Sequence, residues 1–212
     1  AYAREKKVDF IVCDHHLPGQ VLPPAAAILD PKQPGCGYPY KELSGAGIGF
    51  KLIHAFSQRH GLPDENCFRF LDLVATSIAA DIVPVTGENR VLAFYGLEKI
   101  NMNPSPGIAA LLKINQLKSA VNISTLVFTL GPRINAAGRL EHGSKAVELL
   151  ICGDAAEADK LAVAIDNTNT QRKDLDLGTT NEAFQLLEND HTTSTRRSTV
   201  LFNGNWHKGV IG

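Results

Sequence analysis

The chain has 212 residues, 44% of them hydrophobic and 20% charged, with a formal net charge of -1. This is ordinary for a globular protein of one or two domains with a sizeable core. It excludes a polycation, so any attraction to nucleic acid has to come from a local patch.

The four cysteines, Cys13, Cys36, Cys67 and Cys152, form no C-x-x-C pair, which argues against a zinc ribbon or redox motif. A reduced, cytoplasmic compartment is the simplest reading. No apolar run approaches the ~20 residues of a membrane span, and the polar start carries no signal-peptide pattern. Both ends read as cut: the first residues resemble the tail of a helix, and Val210-Ile211-Gly212 has no cap or polar tail.

In chain order, Val8-Asp9-Phe10-Ile11-Val12-Cys13 predicts a buried strand of a parallel sheet, followed at its carboxyl end by Asp14-His15-His16. Ala26 to Leu29 predicts a second strand, ended by Asp30-Pro31, and Lys32 to Tyr40 a loop rich in Pro, Gly and Tyr. Ile48, Leu52, Ile53 and Phe56 recur at helix spacing between Ala46 and His60, with Gly61 as the stop. A second helix is predicted from a cap at Asp64 to about Ala80, with Phe68, Leu71, Val74, Ala75 and Ile78 inward. Asn89 to Asn101 predicts a third. Ser105-Pro106 starts a short helix to Lys113, and Ser124 another that Gly131-Pro132 ends.

Ser144 to Ile151 is a short helix, and Asp154-Ala155-Ala156-Glu157, a capping-box variant, opens a long one to about Glu188. Its stretch Asn167 to Arg172 is polar all round, the mark of a helix bridging two domains. Asp190 to Arg197 is a polar loop, and Ser198-Thr199-Val200-Leu201-Phe202 starts a new unit as a strand. The fold class is α/β, a parallel sheet flanked by helices, then the long connecting helix and the start of a second α/β domain.

Four places carry candidate chemistry. Asp14-His15-His16 sits where open α/β sheets gather their sites, and His with Asp suits Mn²⁺, Mg²⁺ or Zn²⁺; a polar turn after a strand is the plain alternative. Asp81 interrupts the apolar run Ser77 to Pro84, where a carboxylate is costly unless paired or metal-bound, and it opposes the dipole of a helix C-terminus; a water-facing helix end is the other reading. Gly131-Pro132-Arg133-Ile134-Asn135-Ala136-Ala137-Gly138-Arg139 sets two arginine forks and an amide among small residues, fit for phosphate, or forms an ordinary inter-helix loop. Asn203 to Gly209 offers Trp206 for stacking and His207 and Lys208 for phosphate, or a plain hairpin-like loop. Ser44-Gly45-Ala46-Gly47 opens a helix and suits packing better than anion binding. His54, His60, His142 and His191 lack partners at ligand spacing and read as structural or surface residues.

In order and rough spacing these motifs resemble the RecJ-type exonucleases of the DHH phosphoesterase family, single-strand-specific 5′→3′ DNA exonucleases. The segments Pro31 to Cys36, Leu43 to Gly47 and Ala79 to Pro84 join the resemblance, which covers essentially the whole chain. It implies a two-metal phosphodiesterase that releases 5′ mononucleotides from single-stranded DNA, in DNA repair and recombination, with Mn²⁺ or Mg²⁺ as cofactor. His15 and Asp81 would ligate one ion, His16 would touch the scissile phosphate or hold a ligand or water beside it, and Asp14 would orient the histidine pair. Arg133, Asn135 and Arg139 would contact nucleic-acid phosphates, and His207 would belong to a second domain closing over the substrate. Two ions ~4 Å apart would clamp the phosphate, acidify a water and stabilise the leaving oxygen.

The resemblance further implies residues 1–152 as a partial DHH domain, 153–190 as the connector helix and 191–212 as the beginning of a DHH-associated domain. Single-strand-binding protein and repair helicases are the partners it suggests. The family's D-x-D pair and a further Asp precede the D-H-H segment, and nothing before Val8 supplies them, so these 212 residues alone are expected to be inactive. A short-oligonucleotide or cyclic-dinucleotide phosphodiesterase, a type II pyrophosphatase and a non-catalytic DHH scaffold are the rival readings. The ending Trp206 to Gly212 disfavours the enzymes, and retention of His15, His16 and Asp81 disfavours the scaffold.

Overall fold

Two short strands, β1 (Ile11–Cys13) and β2 (Ala27–Leu29), pair in parallel with Val12 opposite Ile28. β-branched residues in both and the proline-bounded connection between them favour extended chain over helix. The computed structural model describes residues 2–117, 119–140, 142–189 and 197–211. The Asp190-to-Arg197 loop prediction and His191 fall outside the described residues except for Arg197.

The sheet is less covered than the sequence suggests. Val8, Phe10 and Ile11 are more than half exposed, and among the described residues β1 has one strand neighbour, β2. Asp30 ends β2 in an Asx turn, its carboxylate buried and accepting from Lys32 N at 2.8 Å.

The helical body follows. After α1 (Tyr2–Glu5) and the strands come α2 (Gly45–Arg59), α3 (Glu65–Phe68), α4 (Leu71–Ala80), α5 (Gly87–Met102) and α6 (Pro106–Ile114). Then come α7 (Ile123–Thr125), a π segment (Leu126–Leu130), α8 (Gly131–Leu140), α9 (Ser144–Ile151) and α10 (Ala155–Glu188). Ser44 caps α2, accepting from Gly47 N. On α2, Ile48 and Phe50 turn inward, whereas Ile53 and Phe56 stay exposed.

The single helix predicted from Asp64 to Ala80 breaks at Arg69-Phe70 into α3 and α4. Asp64 has helical dihedrals and makes no cap bond, and Phe68 is exposed. The inward face of α4 is as expected: Leu71, Val74, Ala75 and Ile78 are buried, the larger ones each contributing ~1.5–3 kcal/mol. Gly96 lets α5 lie directly on α4, since a Cβ there would run into the Leu71 carbonyl. Phe50, Cys67, Leu71, Val74, Ile78 and Ala93 form one cluster. A larger one, with Ile100, Ile108, Leu111, Leu126, Leu130, Leu149 and Ile165, joins α4 to α10.

Gly131-Pro132 does not end a helix. Asn122, not Ser124, starts the element through a capping box with Thr125, and the chain runs on through the proline. The π segment makes this possible: the Gly131 N–H reaches back five residues to the Leu126 carbonyl. Pro132 then takes the second position of α8, where a missing N–H costs little. The motif Gly131 to Arg139 is therefore helix and not loop.

Asp154 caps α10, accepting from Glu157 N at 2.8 Å. The stretch predicted polar all round is not solvated all round: Thr168 and Asn169 are buried against the body. The buried residues of α10 are Ala158, Ala162, Ile165, Thr168 and Asn169, all in its first half. The strand predicted at Ser198 to Phe202 is not formed. Residues 197–202 contain no strand, and Val200 and Phe202 stay exposed, since an isolated segment without a partner edge has nowhere to place its backbone hydrogen bonds.

Candidate metal centre and phosphate site

Asp14 follows β1 directly and its N–H donates to the Leu29 carbonyl, so the strand pairing extends to the first motif residue. One oxygen, Asp14 Oδ1, accepts from His15 N at 2.7 Å, His16 N at 3.1 Å and the His16 ring at Nδ1, 2.7 Å. The His16 ring hydrogen bond is the largest cause that holds the Asp14 carboxyl down at about 2. Asp14 thus orients the ring of His16 directly and His15 through its backbone.

That leaves His15 free to turn inward. Its ring is largely buried beside the start of α2, and its Nε2 lies 3.8 Å from Asp81 Oδ2. Asp81 stands at the C-cap of α4, next to carbonyls that carry the negative end of the helix dipole. A carboxylate there makes a spot of concentrated negative charge that a cation relieves. Ser77, one turn earlier, donates to Asp81 Oδ2 at 3.3 Å and accepts from Ala46 N at 3.4 Å, linking Asp81 to the start of α2. Ile82 follows at φ +53, a conformation that costs a β-branched residue ~1–3 kcal/mol. Strain of that kind is held where surrounding structure dictates the chain path, here the turn that aims Asp81.

The donor set fits a divalent ion. An imidazole nitrogen and a carboxylate oxygen 3.8 Å apart are close enough to share one ion at ~2.1 Å each. Asp14, His15 and His16 also present ligand atoms within 4.8 Å of one another. The mixed N/O character suits Mn²⁺ or Mg²⁺.

The second motif lies against the same end of α4. Gly131 abuts Ala80, its position for a Cβ being 3.4 Å from Ala80 Cα. Asn135 and Arg139 line a cavity of about 260 Å³ together with Ile82 and Arg172. Arg133 points elsewhere: Nε donates to Asp166 Oδ1 of α10 at 2.7 Å and Nη1 to the Thr129 carbonyl at 2.8 Å. Gly209 packs so closely on α8 that a Cβ would overlap the Arg139 carbonyl, while His207 lines a different cavity, with Gln171, Asp174 and Trp206. The Gly209 N–H donates to His207 Nδ1 at 3.1 Å. Trp206 donates from its indole to Glu182 of α10 at 2.8 Å.

Sequence reasoning missed Ser77, Ile82 and Arg172. Ser77 was accessible as the residue four before Asp81 on one helix face. The backbone of Ile82 and the approach of Arg172 have no local sequence signal.

Residues 1–78 match the sequence model of the DHH family, N-terminal domain. The single-stranded-DNA-specific exonuclease RecJ of Bacillus subtilis (strain 168) is 41% identical over 211 residues, 99% of this chain and 26% of that protein. Its namesake from Escherichia coli (strain K12) is 39% identical over 224 residues, 100% of this chain and 39% of that protein. The crystal structure of RecJ in complex with Mn²⁺ from Thermus thermophilus superposes with a TM-score of 0.82 at 32% identity, covering 98% of this chain and 30% of that one. A RecJ complex with Mg²⁺ from the same organism gives 0.76 at 30% identity, over 97% of this chain and 30% of that one. The chain thus spans about a quarter to two fifths of the length of these curated relatives. With an α/β body that carries Asp14-His15-His16 at a strand end beside Asp81, the chain matches the DHH family, N-terminal domain, over residues 1–78 and is similar along nearly its whole length to RecJ exonucleases.

Proposed function

We propose that the protein hydrolyses phosphodiester bonds in single-stranded DNA from the 5′ end, releasing 5′ mononucleotides, with Mn²⁺ or Mg²⁺ held by His15 and Asp81. The observation that carries this is the 3.8 Å approach of His15 Nε2 to Asp81 Oδ2, two residues far apart in sequence with an orientation fixed by Asp14 and Ser77. Similarity over the whole chain to exonucleases named for single-stranded DNA supports the substrate. When bound, the ions supply Lewis acidity and a nucleophilic water at neutral pH.

The side chains supply the rest. His16, its Nδ1 tied to Asp14, keeps Nε2 for the scissile phosphate or for a water beside it. Asn135 and Arg139 face the cavity beyond Asp81 and hold the strand by its phosphates. Arg133 holds α8 on α10 and so fixes the direction of both. We read residues 1–152 as the DHH-domain part, 153–190 as connector and 191–212 as the start of the DHH-associated domain that brings His207 to the substrate. Burial confined to the first half of α10 supports that division. A role in repair and recombination, a cytoplasmic site and partnership with single-strand-binding protein and repair helicases rest on the resemblance alone. Among the described residues no helix is long and apolar enough to cross a membrane.

The test uses the full-length protein with Mn²⁺ on single strands labelled at either end, on duplex and on dinucleotides. Single strands are degraded to 5′ mononucleotides from the 5′ end, duplex is spared, and His15→Ala loses both activity and Mn²⁺ uptake. Strong preference for dinucleotides, or equal metal uptake by His15→Ala, would overturn the reading.

A further inference from the structure

A fully buried amide lies behind the His15–Asp81 pair. Asn89, in the first turn of α5, has no solvent exposure. Its Nδ2 donates to the Glu42 carbonyl at 2.5 Å and to the Pro84 carbonyl at 3.0 Å, so both amide hydrogens go to backbone groups far apart in sequence. Its Oδ1 is buried with no partner among the described residues. An orphaned acceptor of that kind destabilises the fold, and an apolar side chain of similar size would avoid it. What the amide supplies against that loss is the tie between the two carbonyls.

Those carbonyls belong to the segments that carry the candidate metal ligands. Glu42 directly precedes Leu43 and Ser44, the cap of α2, and the first residue of α2, Gly45, lies against the His15 ring, its position for a Cβ being 3.6 Å from His15 Cδ2. Pro84 ends the turn that leaves Asp81 and runs through Ile82 at φ +53. Tyr40 holds the same Pro84 carbonyl with its hydroxyl at 3.1 Å. Its ring covers Gly87 at φ +47, where a Cβ would come within 2.7 Å of it. Ser77 joins Asp81 to α2 at the carboxylate, and Asn89 joins the same two segments at the backbone.

We propose that Asn89 is a positioning residue for the metal centre: by holding the Glu42 and Pro84 carbonyls on one amide, it sets the spacing of His15 and Asp81 at which a divalent ion fits. The inference rests on the metal-dependent reading above and deepens it, since it names what fixes the ligand pair without touching ion or substrate. Such a tie acts on the affinity for the ion and not on binding of the strand, because neither Asn89 nor Tyr40 lines the cavity beyond Asp81.

The experiment measures the Mn²⁺ dissociation constant of the full-length protein by calorimetry, thermal unfolding without the ion, and steady-state hydrolysis of single strands over a Mn²⁺ series. Asn89→Asp keeps the shape and replaces the donors by acceptors, and Asn89→Leu removes the donors together with the orphaned oxygen. Each is expected to raise the Mn²⁺ constant about tenfold. Turnover falls at limiting Mn²⁺ and recovers at saturating Mn²⁺, while KM for the strand stays at the wild-type value. Asn101→Ala is the control for lost stability: that amide donates to the Leu97 and Val121 carbonyls at the far end of α5. It lowers the unfolding temperature and leaves the Mn²⁺ constant unchanged. Tyr40→Phe, which removes one hydroxyl from the Pro84 carbonyl, raises the constant about threefold and carries the test alone if neither Asn89 variant folds. A wild-type Mn²⁺ constant in the folded Asn89 variants, or in Tyr40→Phe where those do not fold, would overturn the proposal, as would an equal rise in Asn101→Ala. If the wild type binds Mn²⁺ but leaves single strands intact, the exonuclease reading fails instead, and the Mn²⁺ constants still decide the role of Asn89.

Discussion

Asp14 carries the local order of the candidate metal centre at the scale of single residues. One of its oxygens accepts from two backbone N–H groups and the His16 ring, and its carboxyl sits at about 2. The folded-state value is depressed, so its contribution to stability is present above the unfolded value of ~3.9 and is lost as pH falls toward about 2. Nearly half of the side chain is exposed, which keeps that contribution small. Carboxyl NMR of the metal-free protein should place the Asp14 midpoint near 2, and His16→Ala should return it toward ~3.9; an unmoved midpoint would show that the backbone donors hold it alone. The triplet and its place after a strand were legible in the residues. Which ring Asp14 orients was not, because two adjacent histidines offer it the same chemistry and the backbone turn decides between them.

At the scale of elements, the informative region is the π segment and α8. Gly and Pro together predict a stop, and locally that is correct physics. The widened turn overrides it by giving Gly131 an acceptor five residues back and leaving Pro132 where no donor is needed. The result turns a loop of arginines into a helix face. Arg133 then meets α10 while Asn135 and Arg139 meet the cavity. Arg133→Gln and Asp166→Asn should each cost about 1–3 kcal/mol in chemical denaturation, because each removes half of a largely covered charged hydrogen bond. Both should leave the salt slope of single-strand binding unchanged. A reduced slope in Arg133→Gln alone would give that arginine a phosphate contact of its own.

At the scale of the whole molecule, the segment containing Trp206 and His207 is held by contacts with two helices. Gly209 fits against the Arg139 carbonyl and Trp206 against Glu182. Gly209→Ala has no room for its methyl group and should lower single-strand hydrolysis at least tenfold in the full-length protein by displacing His207, while thermal unfolding of the helical body changes little. Unchanged turnover in that variant would separate this segment from the reaction.

The residues by themselves determined the α/β class, the helix starts at Ser44 and Asp154, the inward face of α4 and the chemistry of Asp14, His15, His16 and Asp81. Caps, periodicity and donor type are local properties, readable within a turn or two of chain. Tertiary structure alone decided that His15 faces Asp81, that Arg133 is paired and Arg172 faces the cavity, that Thr168 and Asn169 are buried, and that residues 197–202 stay unpaired. Each of those depends on which distant segment supplies the opposing surface, and a side chain's partner across the fold leaves no mark on its sequence neighbours.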